Sequence, residues 1–397
     1  MFTQSQVMYS LSRKRAYECS LRSTGTIVNY SSDVSELFLF IKDSVRLSRI
    51  EGNFMIYKID DYSKVEKLFN GWPYENWHTV MNQKIQIFVD NPDFPKSAVG
   101  CLGAWCFCVG EPNKALITKK QTKWFGLFPQ NKKWERLIKE CYPDAEMNTR
   151  YAIKHDAVFD KERLQSFVEA LPEGYELKLI DSKVYDLIKK VDDDDIEELI
   201  DWFDNKKKFL ELGLGYAVIK DGEVVGGAST AYRFPKGIDI EIDVAKKHRR
   251  KGLATAAGAK LILDCLERGW KPTWDAANMK SVHLSEKLGY KFNHKYHCFW
   301  ISPIFSKAIK NPDKSKWESY CGKYETNCKD FKLKEVWMKD GDLYGLASNE
   351  VRRNFKFKFY PIGPNVFGRR DGCAVVTFEK DSYIVDKIVC NKIKGNS

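Results

Sequence analysis

IDIEIDVAKKHRRKGLATAAGAKLILDCLERGWKPTWDAANMKSVHLSEKLGYKF, running from Ile238 to Phe292, decides how the chain reads. Ile238 to Val244 alternates apolar and acidic residues, the period of a half-buried strand. A basic turn follows, Lys246-Lys247-His248-Arg249-Arg250-Lys251, and then Gly252. Beyond it Leu253, Ala257 and Leu261 recur at helical spacing, and Arg268-Gly269 supplies a stop, a cation in the last turn with glycine just after it. The order is therefore strand, basic glycine-containing turn, helix. A helix N-terminus offers unpaired N–H groups and the positive end of a dipole, which suits a phosphate. Trp274-Asp275 then ends a short strand, and Asn278 opens a second helix that closes with Leu284-Ser285-Glu286-Lys287-Leu288-Gly289-Tyr290.

Arg249-x-x-Gly252-x-Ala254, five residues after Val244, resembles the acyl-CoA pyrophosphate loop of the GNAT superfamily of N-acyltransferases. The later Asn278 and the Leu284–Tyr290 helix end are similar to a second motif of that family at its usual distance. Glu241-Ile242-Asp243, Arg250-Lys251-Gly252-Leu253-Ala254 and Trp274-Asp275-Ala276-Ala277-Asn278 look most like the zwittermicin-resistance-type acetyltransferases. The likeness covers Met55 to about Pro303. It implies a GNAT fold of the α/β (α+β) class, acetyl-CoA as co-substrate, no metal, and direct attack by a primary amine of a small molecule.

Acyl transfer from a thioester to an amine needs grip on CoA, a neutral amine, a donor for the carbonyl oxygen and a proton for the departing thiolate. By resemblance the turn formed by Arg249, Arg250, Lys251, Gly252, Leu253, Ala254 and Thr255 supplies the grip. Gly252 lets the backbone approach where a side chain would intrude. The main chain of Val244 would face the pantetheine arm and the thioester oxygen. Asn278 would face CoA, cap its helix, or do both. Glu241 is the expected base, with Asp239 and Asp243 on the same face by strict alternation, so the choice among the three stays open unless a bulge changes the facing. Ser285 stands where the family pattern has a tyrosine as thiolate acid. A serine hydroxyl is a far poorer acid than a phenol, and Tyr290 and Tyr296 are the alternatives.

The 397 residues allow two or three domains, and 43% apolar with 30% charged residues is ordinary for a globular chain. No apolar run reaches the length of a membrane span. The eleven cysteines form no CxxC pair, and Cys101, Cys106 and Cys108 lie in an apolar run, which points to buried thiols and a reducing, cytoplasmic setting. The net charge is +11, and residues 301–397 hold 15 Lys and 4 Arg against 7 Asp and 5 Glu, a net of +7. A basic tail suits an anionic partner such as RNA. No nucleic-acid motif accompanies it, so a solvated basic surface is preferred.

Four segments are expected: 1–54 as a poorly ordered extension, 55–175 as a mixed α/β half, 176–303 as the GNAT domain and 314–397 as a small antiparallel β barrel or sandwich. In the first half Ile85–Val89 and Ala98–Val109 read as strands and Glu111-Pro112-Asn113 as a hairpin turn. Asn131 and Asp160 precede amphipathic helices, and His78 and His155 are lone histidines of structural or exposed type. The acids Asp192 to Asp195 complement the dipole of the helix carrying Ile196, Leu199, Ile200 and Phe203. Asp221-Gly222 is a two-residue hairpin signal. In the tail, Lys339-Asp340-Gly341-Asp342, Pro361 to Asn365 and Arg370-Asp371-Gly372 punctuate short strands. Gly322 to Glu325 with Lys339 to Gly345 is similar to a lipocalin-like domain, and a small-molecule site, packing or dimerisation are all open to it. Besides the transferase, two other readings stand: a non-catalytic acyl-CoA-binding module and a basic nucleic-acid-binding protein.

Overall fold

The computed structural model describes residues 55–69, 86–118, 124–154, 156–191, 193–234, 236–326, 328, 331–348, 355–372 and 374–393. The extension expected over 1–54 and the two lone histidines fall outside them. The first part runs β1 (Tyr57–Ile59), α1 (Glu66–Phe69), β2 (Gln86–Val89), β3 (Ser97–Leu102), β4 (Trp105–Gly110), α2 (Lys114–Thr118), β5 (Phe125–Pro129), α3 (Lys132–Cys141), β6 (Glu146–Lys154) and α4 (Lys161–Glu169). The second continues with β7 (Glu176–Leu179), α5 (Ser182–Ile188), α6 (Asp194–Asp201), α7 (Lys206–Leu212), β8 (Gly215–Lys220), β9 (Glu223–Phe234), β10 (Gly237–Val244), α8 (Leu253–Glu267), β11 (Lys271–Thr273), β12 (Asp275–Ala276), α9 (Met279–Lys287) and β13 (Lys291–Ile301). The tail adds the eight strands β14 (Gly322–Lys323) to β21 (Ile388–Asn391).

The first large sheet has the order β1-β2-β3-β4-β5-β13-β6-β12, so the last strand of the central region lies between two strands of the first half. The boundary expected at residue 175 falls after β6, whose other partners, β12 and β13, come more than a hundred residues later. Two expectations in this half are corrected. Ala98–Val109 is not one strand but two, turned at Gly103 in the left-handed region, and residues 111–113 lead into α2 and then into β5 parallel to β4, not into a hairpin. The cause is burial on both faces. Trp105, Phe107 and Val109 enter one core while Cys106 and Cys108 enter the other, so no polar residue marks the turn's flanks. The nine cysteines among the described residues are free thiols.

The second sheet has the order β11-β10-β9-β8-β7 and carries the site. Its two faces are covered differently. Ile238, Ile240 and Val244 pack with Leu253, Ala257 and Leu261 of α8 on one side. On the other, Ile196, Leu199 and Ile200 of α6 pack with Ala217 and Ile219 of β8. Gly258 permits the close approach of α8, since a Cβ there would meet Leu288 at 2.9 Å and Ile242 at 3.0 Å. Asp221 and Gly222 both hold positive φ in the β8–β9 hairpin, as the sequence predicts. Asn131 and Asp160 cap α3 and α4 as expected.

The tail is an antiparallel meander in sequence order whose ends meet, with Ile393 N–H donating to Lys323 O and Glu325 N–H to Asn391 O. Trp317, Phe359, Phe367, Phe378 and Tyr383 fill its interior. It docks on the first sheet. Tyr360 Oη donates to Glu146 Oε2 at 2.9 Å, and the Arg370 guanidinium lies over the Trp300 ring at 5.2 Å. Lys358 pairs with Asp342 and Arg369 with Asp371 inside the tail, and of the tail's basic excess Arg370 is paired across this seam with Glu146. Among the described residues no helix is long and apolar enough to cross a membrane.

Candidate active site

The site begins where β10 and β11 part. They pair in parallel only over Gly237–Lys271, Ile238–Pro272 and Asp239–Thr273. After that, Trp274 interrupts, and Asp275 and Ala276 join β6 instead. Residues 240–244 of β10 are thus bonded to β9 on one side and face a gap on the other. Ala245 N–H donates to Val225 O, so in the antiparallel alternation the main-chain N–H and C=O of Val244 and Ile242 point into that gap.

At the open end the chain turns sharply. Arg250 sits at φ 64° and Gly252 at φ 83°, both in the left-handed region. Gly252 is the N-cap of α8 without a side-chain cap, and the first helical bond runs from Ala256 N–H to Gly252 O. Helix geometry leaves the N–H groups of Leu253, Ala254 and Thr255 without intrahelical acceptors. A Cβ at Gly252 would meet no atom of the described residues within 4 Å, so that side of the helix end has room beside it. An anionic pyrophosphate fits that donor set.

The basic side chains of the turn are partly committed. Arg249 Nε donates to Val244 O at 2.7 Å and its Nη2 pairs with Asp195 at 2.8 Å, tying the turn to α6. Lys251 Nζ reaches Tyr175 Oη at 3.0 Å, and His248 Nδ1 lies 3.0 Å from the same hydroxyl. Arg250 is exposed.

The α6 face of β10 carries the acids. Register against β9 slips between Asp239 and Ile240, with Asp239 opposite Tyr232 and Ile240 opposite Thr230. The extra residue is Ala231 on β9, so β10 keeps its alternation and Asp239, Glu241 and Asp243 share one face. They are not equivalent. Asp239 is buried at the closed end, where Thr273 Oγ1 donates to its Oδ1 at 2.9 Å. Glu241 is half-buried in the gap region. Asp243 is 8% exposed, and its Oδ2 has no hydrogen-bond partner among the described residues. Glu198 of α6 joins the last two, all three offering a carboxylate oxygen within 4.8 Å of one another.

A model of the GNAT acetyltransferase family matches residues 66–299. The chain belongs to that family. It is an acyl-CoA-dependent N-acyltransferase, and the family's co-substrate is acetyl-CoA. The acyltransferase is 25% identical over 240 residues to an uncharacterized N-acetyltransferase, YdfB, of Bacillus subtilis (strain 168), covering 56% of this chain and 88% of the relative. It is also similar to a GCN5-related N-acetyltransferase-like protein from Streptococcus suis, at 37% identity and a TM-score of 0.54, covering 60% of this chain and 96% of that one. The family match ends before the tail barrel begins.

Electrostatics separate the acids of the acyltransferase further. Burial pushes the Glu241 carboxyl up to about 8, helped by the Asp239 charge and opposed by the Ile242 N–H, the Trp202 indole and Arg150. Burial also drives Asp243 well above the usual carboxylate range, reinforced by Glu241, Glu198 and Asp195 and opposed by Arg249. Across the gap Arg150 of β6 binds Asp275, its Nε 2.5 Å from Oδ2, and Tyr296 Oη donates to Asp275 Oδ1 at 2.9 Å. Tyr232 is buried beside Asp239 and Glu241, and its hydroxyl has no hydrogen-bond partner among the described residues.

The remaining expected residues have local partners. Asn278 caps α9, its side chain accepting from Ser281 N–H at 3.1 Å. Ser285 is 0% exposed, and its Oγ donates to Val282 O at 2.8 Å. Tyr290 Oη donates to Pro272 O. Sequence reasoning missed Glu198, Trp202, Tyr232 and Arg150. Glu198 and Trp202 had a signal: with Asp195 they recur at i, i+3, i+7, a second stripe beside the apolar face of α6. Arg150 had none, because β6 reaches the site only through the sheet it shares with β12.

Proposed function

We propose that this acyltransferase moves an acetyl group from acetyl-CoA to a primary amine of a small molecule by direct attack. The observation that carries the reading is the gap between β10 and β11, with main-chain groups of Ile242 and Val244 directed into it, an anion-holding turn at one end and Glu241 beside it. The turn from Arg249 to Thr255 holds the pyrophosphate mainly through main-chain N–H groups. The Val244 N–H is directed where a thioester carbonyl can accept from it. Acetyl-CoA brings the activated acyl group.

Glu241 is the base. Of the three acids on its face it alone is not fully buried, and a carboxylate titrating near 8 holds an amine's proton far better than an ordinary one. Asp239, bonded to Thr273, is instead a strand clasp. The likeness of residues 241–254 and 274–278 to the zwittermicin-resistance-type enzymes supports a small-molecule acceptor.

The test combines calorimetry of acetyl-CoA binding with thiol release over a panel of small primary amines. Tight binding with amine-dependent thiol release is expected. Binding without release for any amine would leave a non-catalytic acyl-CoA module, and no binding at all would overturn the reading.

A further inference from the structure

The family's tyrosine acid is missing, and none of the expected substitutes is available. Ser285 is buried and bonded to Val282 O, Tyr290 to Pro272 O, and Tyr296 to Asp275. The departing sulfur still needs a proton. Resting on the transferase reading above, we propose that Asp243 is the acid of the transfer and delivers its carboxyl proton to the departing sulfur.

Three independent features support it. Asp243 directly precedes Val244, whose main chain points into the gap, and it shares a face with Glu241. Its Oδ2 is buried and has no hydrogen-bond partner among the described residues, although the Tyr232 hydroxyl, buried and equally without one, lies on the same face. The groups around it are mostly acidic: Glu241 on its own strand and Glu198 and Asp195 on α6, with Arg249 of the turn the opposing cation. Arg249 is already bonded to Asp195 and to Val244 O. Three carboxylates within 4.8 Å of one another in a buried setting do not all ionise, and the two enclosed ones, Glu198 at 0% and Asp243 at 8% exposed, keep their protons longer than half-buried Glu241. Asp243 is therefore a neutral carboxylic acid while Glu241 beside it accepts protons, two carboxyls with different roles set by environment.

The step balances. The nitrogen lone pair of the neutral amine forms the new C–N bond. The C–S bond breaks with its electron pair left on sulfur. Asp243 gives its proton to that sulfur, and Glu241 takes one from the nitrogen. Glu241 then passes that proton to Asp243, so the pair ends with the single proton it began with. The products are the amide and free CoA thiol.

The decisive variant is Asp243→Asn, which keeps size and polarity but cannot deliver a proton. Three readouts are needed. Above pH 8, where Glu241 has ionised, the parent without substrates should still show infrared carbonyl absorption of protonated buried carboxylic acid, and Asp243→Asn should lower it by one carboxyl's share. Calorimetry should find acetyl-CoA binding unchanged in the variant. Thiol release should fall by about 10²–10⁴, and the descending alkaline limb of the kcat/KM profile should disappear while the ascending limb stays. A variant within about tenfold of the parent that keeps its alkaline limb overturns the assignment. So does a parent lacking the infrared band. Turnover that needs added Mg²⁺ and stops with EDTA overturns it as well, by making these carboxylates ligands of a cation. If the parent binds acetyl-CoA but Glu241→Gln turns over normally, the base reading fails, and the proton cycle described for Asp243 fails with it.

Discussion

The two ends of β10 carry the same residue type on the same face and treat it in opposite ways. At the closed end Asp239 is flanked by β11, and a threonine hydroxyl binds its carboxyl. Four residues on, at the open end, β11 has turned away and Asp243 has an oxygen with no hydrogen-bond partner among the described residues. A buried polar group is normally satisfied, because leaving it unsatisfied costs about 1–3 kcal/mol. Parting the strands therefore has two effects at once. It exposes main-chain donors to a ligand, and it removes the neighbours that would otherwise quiet the acids.

The open end can be broken most completely at its turn. Gly252→Glu should abolish acetyl-CoA binding by calorimetry, since the new carboxylate enters the space beside the α8 N-terminus. The fold should survive, because a Cβ there meets no atom of the described residues and only the left-handed φ is unfavourable, by about 1–2 kcal/mol. Unchanged affinity would remove the turn from the site.

Glu241→Gln should lower thiol release by about 10²–10⁴ while leaving acetyl-CoA binding intact. In the parent, activity should rise as pH climbs through about 8, because the base works ionised. Stability runs the other way. The folded carboxyl keeps its proton from its ordinary value of 4.5 up to about 8 while the unfolded one has lost it, so stability falls with rising pH across that window. The Gln variant should therefore melt higher than the parent at pH 8 while nearly inactive. Equal melting curves would show that Glu241 is not held protonated.

Thr273→Val tests the closed end. It should cost about 1–3 kcal/mol in denaturant unfolding, by taking a hydroxyl from buried Asp239, and should lower turnover less than Glu241→Gln. A larger loss of activity than of stability would move the chemistry toward Asp239 and undo the contrast. The smallest effect is expected from Ser285→Ala, less than about tenfold in rate, since its hydroxyl serves only a bond within α9.

What could be read in the sequence was whatever a local pattern encodes. The alternation at 238–244, the turn glycine at 252, the Asn278 cap and the Asp221-Gly222 hairpin all depend on neighbours a few residues away. The splitting of 98–109 was hidden because both faces of β3 and β4 are buried, which erases the polar half of the period. The acids on β10 were visible, but not which of them is bonded. That depends on Thr273, thirty-four residues from Asp239, and on Glu198 arriving from α6. Arg150 lies 125 residues from Asp275, a pairing set by sheet order alone.

That sheet order also sets a timetable for synthesis. β13 slots between β5 and β6, so a growing chain that has not yet extruded residue 301 carries two strand edges waiting for the same partner. Such edges invite pairing with other chains. The first sheet must therefore stay open, or be shielded by chaperones, until the ribosome has finished β13. Truncations before β13 should be insoluble, however much of the acyltransferase they contain.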